Sequence, residues 1–140
     1  MKTDNSDVTT LLIVDDDPFC VFLTETILQK QFITYSVNNG YAALKVLEEK
    51  KIDIVLMDIN LDDERMDGLR TMRVIRQNGK YRDVKILAVT AFSDNRKWLI
   101  REGFDDLYMK PIVEEEILFV IKNLLTTPTK RFLFERALIF

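Results

Sequence analysis

Residues 52–68, IDIVLMDINLDDERMDG, decide the fold that this sequence predicts. Apart from Asp53, the positions before Asp58 are apolar, rich in β-branched side chains and too few for a helix, which predicts a strand buried on both faces. Asp58 stands where that strand ends. Because ligands bind at the carboxyl ends of the strands in open parallel α/β sheets, Asp58 is a candidate site residue. An isolated aspartate there more often begins a turn, so this interpretation depends on how the other strands end.

The composition describes one domain of an ordinary globular protein. Of the 140 residues, 47% are hydrophobic and 31% charged, which suffices for a core without disulfides or metal. A net charge of -3 excludes a strong field for nucleic acid or acidic lipid. Cys20 is the single cysteine, so we expect a small buried side chain in a reducing compartment. The polar residues 1–10 lack the apolar core of a signal peptide, and we expect a cytoplasmic protein.

The rest of the chain repeats a strand-then-helix pattern. Further strands are predicted over 11–14, 32–37, 84–89 and 107–109, and helices from about residues 18, 41, 69, 94 and 113. This alternation predicts an α/β fold with a parallel sheet. The first strand ends in Asp15 and Asp16, the fourth in Thr90, and the fifth in Lys110.

Two helices have predicted inner faces. Pro18 suits the first position of the first helix, and Asp17 before it is a suitable N-cap. Helical spacing places these side chains of the first helix on one face, which we expect to be buried: Phe19, Phe22, Leu23, Thr26 and Ile27. The last helix is expected to bury Val113, Ile117, Val120, Ile121 and Leu124.

The residues at the strand ends have complementary chemistry. Adjacent carboxylates on Asp15 and Asp16 repel each other, and a bound cation is the expected remedy. Asp58 offers an oxygen nucleophile, Thr90 a hydroxyl donor, and Lys110 a cation that can pair with a phosphoryl oxygen. Each residue alone is more often structural, so the prediction depends on their coincidence.

As a set, these motifs resemble the receiver domain of two-component response regulators. The resemblance covers residues 11–125 and is carried by VDDDP at 14–18, VLMD at 55–58, MDG at 66–68, VTA at 89–91 and KP at 110–111. It implies a doubly wound, flavodoxin-like sheet of five parallel strands in the order 2-1-3-4-5, within three αβα layers. The sequence is thus predicted to comprise a polar arm (1–10), a receiver domain (11–125) and an apolar tail (126–140).

The resemblance also implies a function. Asp58 would accept a phosphoryl group from a phosphohistidine on a histidine kinase or phosphotransfer protein, or from a small phosphodonor. Thr90 would bond to a phosphoryl oxygen, and Lys110 would pair with Asp58 and then with the phosphate. The protein would be a phosphoacceptor rather than an enzyme.

A magnesium site is implied by the same resemblance. Asp16 and Asp58 would bind Mg²⁺ directly, Asp15 through water, and Asn60 through its backbone carbonyl. The loop that joins Asp58 to Gly68 departs from the usual form, because it is two residues longer and lacks a proline. The rim of the metal site is therefore expected to be altered.

Two more departures follow the last strands. Leu107 lies three residues before Lys110, where the family usually has an aromatic switch residue, and Tyr108 is shifted by one to the opposite face of the strand. Phe92 follows Thr90 by two positions, and we expect its bulk to obstruct water and slow hydrolysis of the acyl phosphate.

Two alternative functions stay open at this point. A haloacid-dehalogenase-like phosphatase would use Asp15 and Asp17 as its nucleophile pair, with Thr90 and Lys110 as later motifs. Phe19 replaces the Thr or Val usual in that class, and the chain is short. A pseudo-receiver that only binds partners is the second alternative, against which the complete set of site residues argues.

The absence of histidine and the composition of the tail suggest how the chain acts. The sequence contains no histidine, so the phosphodonor must be another molecule. No DNA-binding domain or membrane span is expected, and we predict a stand-alone regulator that signals by binding a downstream protein. The apolar tail, with RFLFERALIF at 131–140, is predicted to help build a homodimer on the face of the fourth and fifth helices.

Overall fold

The computed structural model describes residues 8–91 and 95–128, in which five strands alternate with five helices. The elements are β1 (Thr10–Val14), α1 (Pro18–Leu28), β2 (Ile33–Val37), α2 (Gly40–Glu49), β3 (Ile54–Asp58), α3 (Gly68–Gln77), β4 (Lys85–Thr90), α4 (Arg96–Glu102), β5 (Asp106–Met109) and α5 (Glu114–Thr126). All paired strands are parallel, in the order β2-β1-β3-β4-β5. The predicted fold class and strand order are confirmed.

Some predictions fall outside the described residues. They concern most of the polar arm, Phe92 with its proposed effect on hydrolysis, and residues 129–140 of the tail with the homodimer. Within the described residues, no helix is both long and apolar enough to span a bilayer.

β3 lies at the centre of the sheet, between β1 and β4, and each of its five residues is buried. Val55 and Met57 pack on one side of the sheet, whereas Ile54 and Leu56 pack on the other. Alternate residues of a strand point to opposite faces, so a strand covered by helices on both sides must be apolar throughout. The prediction from residues 52–68 is confirmed on this point.

The helices form two layers around the sheet. One hydrophobic cluster joins the sheet to α2, α3 and α4 through Ala43, Leu47, Met72, Ile75 and Leu99. The other joins it to α1 and α5 through Ile27, Leu28, Ile117, Ile121 and Leu124. This arrangement gives the predicted three layers.

The predicted inner face of α1 is wrong in part. Phe19 is 74% exposed, Phe22 is 68% exposed, and Thr26 is exposed as well. The side chains that α1 buries are Thr24, Ile27 and Leu28. Apolar residues occur on most sides of this helix, so helical spacing alone selects the wrong face by about one position. α5 buries Ile117, Ile121 and Leu124 as predicted, but Val113 is 42% exposed at the N-cap position.

Candidate functional site

Four strand ends bring the predicted site residues to one edge of the sheet. Asp15 follows β1, Asp58 ends β3, Thr90 ends β4, and Lys110 follows β5. Lys110 Nζ lies 3.2 Å from Asp15 Oδ2 and 3.3 Å from Asp58 Oδ2. Asp15, Asp58 and Thr90 are buried, whereas Asp16 is half-buried at the rim. The strand order thus places residues from distant parts of the sequence in contact.

The three consecutive aspartates after β1 have different positions. The backbone N–H of Asp17 donates to Asp15 Oδ1 (2.9 Å), which fixes the buried carboxylate. Asp17 Oδ1 accepts from the N–H of Phe19 (3.0 Å), and Pro18 begins α1, so the predicted helix cap is confirmed. The Asp17 carboxylate therefore has the structural role of a helix cap, whereas Asp15 is buried in the cluster at the strand ends.

The end of β3 is held by the loop that follows it. The N–H of Asn60 donates to Asp58 Oδ1 (3.0 Å). The N–H of Gly68 donates to the carbonyl of Ile59 (3.3 Å), which joins the two ends of the loop. A Cβ at Gly68 would collide with the carbonyl oxygen of Asp58, so this close approach requires glycine.

The same loop also reaches the first strand end. The N–H of Asp62 donates to Asp16 Oδ2 (2.8 Å), across 46 positions of sequence. Arg70 Nη1 donates to the carbonyl of Glu64 (2.6 Å), and Leu61 is buried in the hydrophobic cluster of α2, α3 and α4. The loop therefore lies against the acidic group rather than extending into solvent.

Burial and neighbouring charges shift the pKa values of this group. Burial raises the pKa of Asp58, and the negative charge of Asp15 raises it further. The Asn60 N–H and Lys110 lower this pKa, but by less, so it lies above its usual value. Burial also raises the pKa of Asp15, but the Asp17 N–H, the Cys20 thiol and Lys110 outweigh it, so the pKa lies below its usual value. Burial lowers the pKa of Lys110, but the charges of Asp58 and Asp15 more than reverse this, and the ammonium stays charged.

The group is suited to a hard divalent cation. Oxygen atoms of Asp15, Asp16 and Asp58 all lie within 4.8 Å of one another. Among the described residues, Lys110 is the one cation that pairs with this group, and it contacts Asp15 and Asp58 but not Asp16, which leaves an excess of negative charge. Carboxylate oxygens are the ligands that Mg²⁺ prefers in proteins. The donor set therefore fits the magnesium ion that the sequence predicts.

Cys20 is a neighbour of the site that sequence reasoning missed. Its side chain is half-buried, and burial beside Asp15 raises the pKa of the thiol to about 11. The Cys20 thiol in turn lowers the pKa of the Asp15 carboxyl, so Cys20 is more than a small core side chain. Cys20 lies one helical turn before Thr24, which α1 buries, and this spacing could have placed Cys20 on the inner face of the helix.

Leu107 and Tyr108 lie on opposite faces of β5, as predicted. Leu107 packs with the cluster of α2, α3 and α4, and Tyr108 with the cluster of α1 and α5. The Tyr108 hydroxyl accepts from the N–H of Val113 (2.9 Å) and donates to the carbonyl of Pro111 (3.2 Å). Tyr108 therefore holds the start of α5 from the face opposite Leu107.

Comparisons with known proteins agree with this geometry. The family model for the response regulator receiver domain matches residues 11–122. The sensor histidine kinase GacS of Pseudomonas protegens is 32% identical in an alignment of 117 residues that covers 79% of this chain and 12% of that protein. The heme response regulator HssR of Staphylococcus aureus is 34% identical in an alignment of 115 residues that covers 81% of this chain and 50% of that protein. The chain thus spans half or less of the length of these relatives.

Solved structures are similar in the same region. The receiver domain of the sensor histidine kinase PA1611 from Pseudomonas aeruginosa, solved with magnesium in the active-site cleft, has a TM-score of 0.76 at 26% identity. It covers 86% of this chain and 99% of its own. A response regulator from Chloroflexus aurantiacus has a TM-score of 0.80 at 27% identity, with 86% and 100% covered. On the match of residues 11–122 and this geometry, the chain belongs to the response regulator receiver domain family of two-component signalling.

Proposed function

We propose that Asp58 accepts a phosphoryl group from a phosphohistidine on a histidine kinase or phosphotransfer protein, and that the phosphorylated chain then signals by binding a downstream protein. The observation that carries this proposal is the position of Lys110 Nζ, between the buried carboxylates of Asp15 and Asp58. An ammonium held there compensates the ionised nucleophile before transfer and is in place to pair with a phosphoryl oxygen afterwards.

In the proposed transfer, a carboxylate oxygen of Asp58 attacks phosphorus and forms a new O–P bond. The P–N bond to the donor histidine breaks, and its electron pair stays on the imidazole nitrogen, which then takes up a proton. Thr90, buried at the end of β4, would donate its hydroxyl to a phosphoryl oxygen. The chain is then a phosphoacceptor that is consumed and regenerated, rather than an enzyme with a separate substrate.

Asp16 and Asp58 would hold Mg²⁺ directly in this proposal, with Asp15 through water and the carbonyl of Asn60 as a further ligand. When bound, the ion neutralises the carboxylates and the charge of the incoming phosphoryl group. The magnesium in the cleft of the PA1611 receiver domain supports this assignment. The excess of carboxylates over cations gives the ion an electrostatic reason to bind.

Partner binding is supported by the surface next to the site. Phe19 and Phe22 expose their rings on α1, just after the acidic strand end. Beside them, a cavity of about 470 Å³ lies between α1 and the start of α2, lined by Asp16, Phe22, Glu25 and Asn38 among others. Exposed aromatic rings beside a polar cavity are typical of protein contact surfaces. Cytoplasmic localisation remains part of the proposal.

Phosphorylation from a small donor tests this function. With Mg²⁺ and acetyl phosphate, the wild-type chain should gain one phosphoryl group by intact mass, and Asp58→Asn should gain none, because a carboxamide is not a nucleophile of this kind. Asp63→Asn, which changes another carboxylate in the same region, is the matched control and should be labelled normally. A label on Asp15 would favour the phosphatase, and an unlabelled wild type would favour the pseudo-receiver.

A further inference from the structure

Each of the three clustered carboxylates accepts a backbone N–H, but the donors differ in origin. Asp15 accepts from Asp17, and Asp58 accepts from Asn60, each two residues further along its own turn. Asp16 instead accepts from Asp62, which belongs to the distant loop after β3. Within residues 8–91 and 95–128, this is the one hydrogen bond that the Asp16 side chain accepts. The orientation of Asp16 therefore depends on that loop.

The Asp62 N–H is itself fixed by its surroundings. The preceding residue, Leu61, is only 6% exposed and packs in the core, which anchors the peptide unit that carries this N–H. The base of the loop is joined by the hydrogen bond from Gly68 to Ile59. A donor held in this way restricts the rotation of the Asp16 carboxylate and leaves its second oxygen, Oδ1, without a hydrogen bond to the described residues.

We propose that the backbone N–H of Asp62 is a positioning group for magnesium binding. It holds Asp16 Oδ2, so that Oδ1 is presented to the ion alongside Asp58 and Asp15. This inference rests on the proposed function, since it takes Mg²⁺ as the ligand. Outer groups that orient metal ligands commonly change metal affinity by about 10- to 100-fold when removed. Because the loop supplies the donor, binding of the ion and order in the loop are linked.

Asp62→Pro tests the inference, because proline has no N–H. Its reference is Asp62→Ala, which lacks the same carboxylate but keeps the N–H. The dissociation constant for Mg²⁺ is measured by titrating MgCl₂ into the full chain and following amide chemical shifts by NMR. We expect Asp62→Pro to bind Mg²⁺ about tenfold more weakly than Asp62→Ala, and Asp62→Ala to stay close to wild type.

A second pair controls for the effect of proline in this loop. Glu64→Pro and Glu64→Ala are compared in the same way, and their affinities should agree within about twofold, because the Glu64 N–H makes no hydrogen bond among the described residues. Thermal unfolding without metal shows whether each variant is folded. In the wild type, saturation with Mg²⁺ should slow hydrogen exchange of the Asp62 amide, which gives a test that needs no variant.

The outcomes separate this inference from the proposed function. If the wild type binds no Mg²⁺, the proposed metal site is wrong, and the inference is wrong with it. If the wild type binds but Asp62→Pro and Asp62→Ala have equal affinities, or the proline variant binds more tightly, only the positioning role is overturned. Unchanged exchange at the Asp62 amide on saturation would overturn it as well.

Discussion

Two buried ion clusters lie at opposite edges of the sheet, and they are built from the same kinds of groups in different proportions. At the amino ends of β4 and β5, Arg76 Nη2 lies 2.6 Å from Asp105 Oδ2. Arg76 also donates to the carbonyls of Gly103 (2.9 Å) and Val84 (2.7 Å), and Asp105 Oδ2 accepts from the N–H of Ile86 (2.7 Å). One ion pair forms there, and both of its members have further hydrogen bonds. The buried Lys85 is a second cation nearby, since the charges of Asp105 and Arg76 both act on its pKa.

At the carboxyl edge, one cation meets several anions. Lys110 is shared by Asp15 and Asp58 at 3.2 and 3.3 Å, and Asp16 lies close by without an ion pair to Lys110. The Arg76–Asp105 pair links α3 to the turn between α4 and β5, and it has no excess of carboxylates to offer a cation. The cluster with excess carboxylates is less stable alone, and that excess of negative charge gives it affinity for a cation.

The largest expected effect is at the Arg76–Asp105 cluster. Arg76→Met should lower the free energy of unfolding by about 3 kcal/mol, because it leaves the buried Asp105 carboxylate without its cation. Phosphorylation of the folded fraction should be unchanged. Arg73→Met is the matched control, since the Arg73–Glu102 pair is 45% and 28% exposed and should contribute less than about 1 kcal/mol. Denaturant unfolding measures both variants, and equal losses would contradict the distinction between the two pairs.

A smaller effect is expected at the cluster of Lys110 with Asp15 and Asp58. Lys110→Met should lower stability in the absence of metal by about 1–2 kcal/mol, because the carboxylates lose their one cation. MgCl₂ should restore most of this loss, so the rise in melting temperature with Mg²⁺ should be larger than in wild type. Phosphorylation from acetyl phosphate should slow by at least about tenfold. If Mg²⁺ raises both melting temperatures equally, charge compensation by Lys110 is not the reason for its position.

The smallest effect has the opposite sign. Burial raises the pKa of Asp58, so the folded chain binds that proton more tightly than the unfolded chain, and stability falls as pH rises through the folded pKa. Asp58→Asn should therefore stabilise the metal-free chain by about 1 kcal/mol at neutral pH, which is a few degrees in melting temperature. The gain should shrink as the pH falls through the folded pKa of Asp58, because the wild-type carboxylate then takes up a proton as well.

Asp105→Asn is the counterpart at the other cluster and should destabilise the chain at neutral pH, because it removes the partner of Arg76. Melting temperatures of both variants, measured from pH 4 to pH 8 without metal, test the contrast. A loss of stability in Asp58→Asn across this range would show that the carboxylates at this edge are not in excess over the charge of Lys110.

The residues at the strand ends were predictable because parallel topology brings the carboxyl ends of strands together, whatever the distance in sequence. Asp58 and Lys110, for example, are 52 positions apart and still in contact. The exposed positions of Phe19 and Phe22 were not predictable, since α1 is apolar on most sides and its rotation is set by packing. The bond from Asp62 was not predictable either, because every residue carries a backbone N–H and only the path of the loop selects one.

The bond between Gly68 and Ile59 also bears on how such a chain diversifies. It closes the loop at its base, so residues inserted between these two points enlarge a closed ring and leave β3 and α3 in place. By chain entropy, a ring two residues longer costs only about 0.2 kcal/mol. Insertions of a few residues between Ile59 and Gly68 should therefore cost little stability, provided that position 68 stays glycine beside the Asp58 carbonyl. Peptide tags or epitopes grafted into this ring should be tolerated for the same reason.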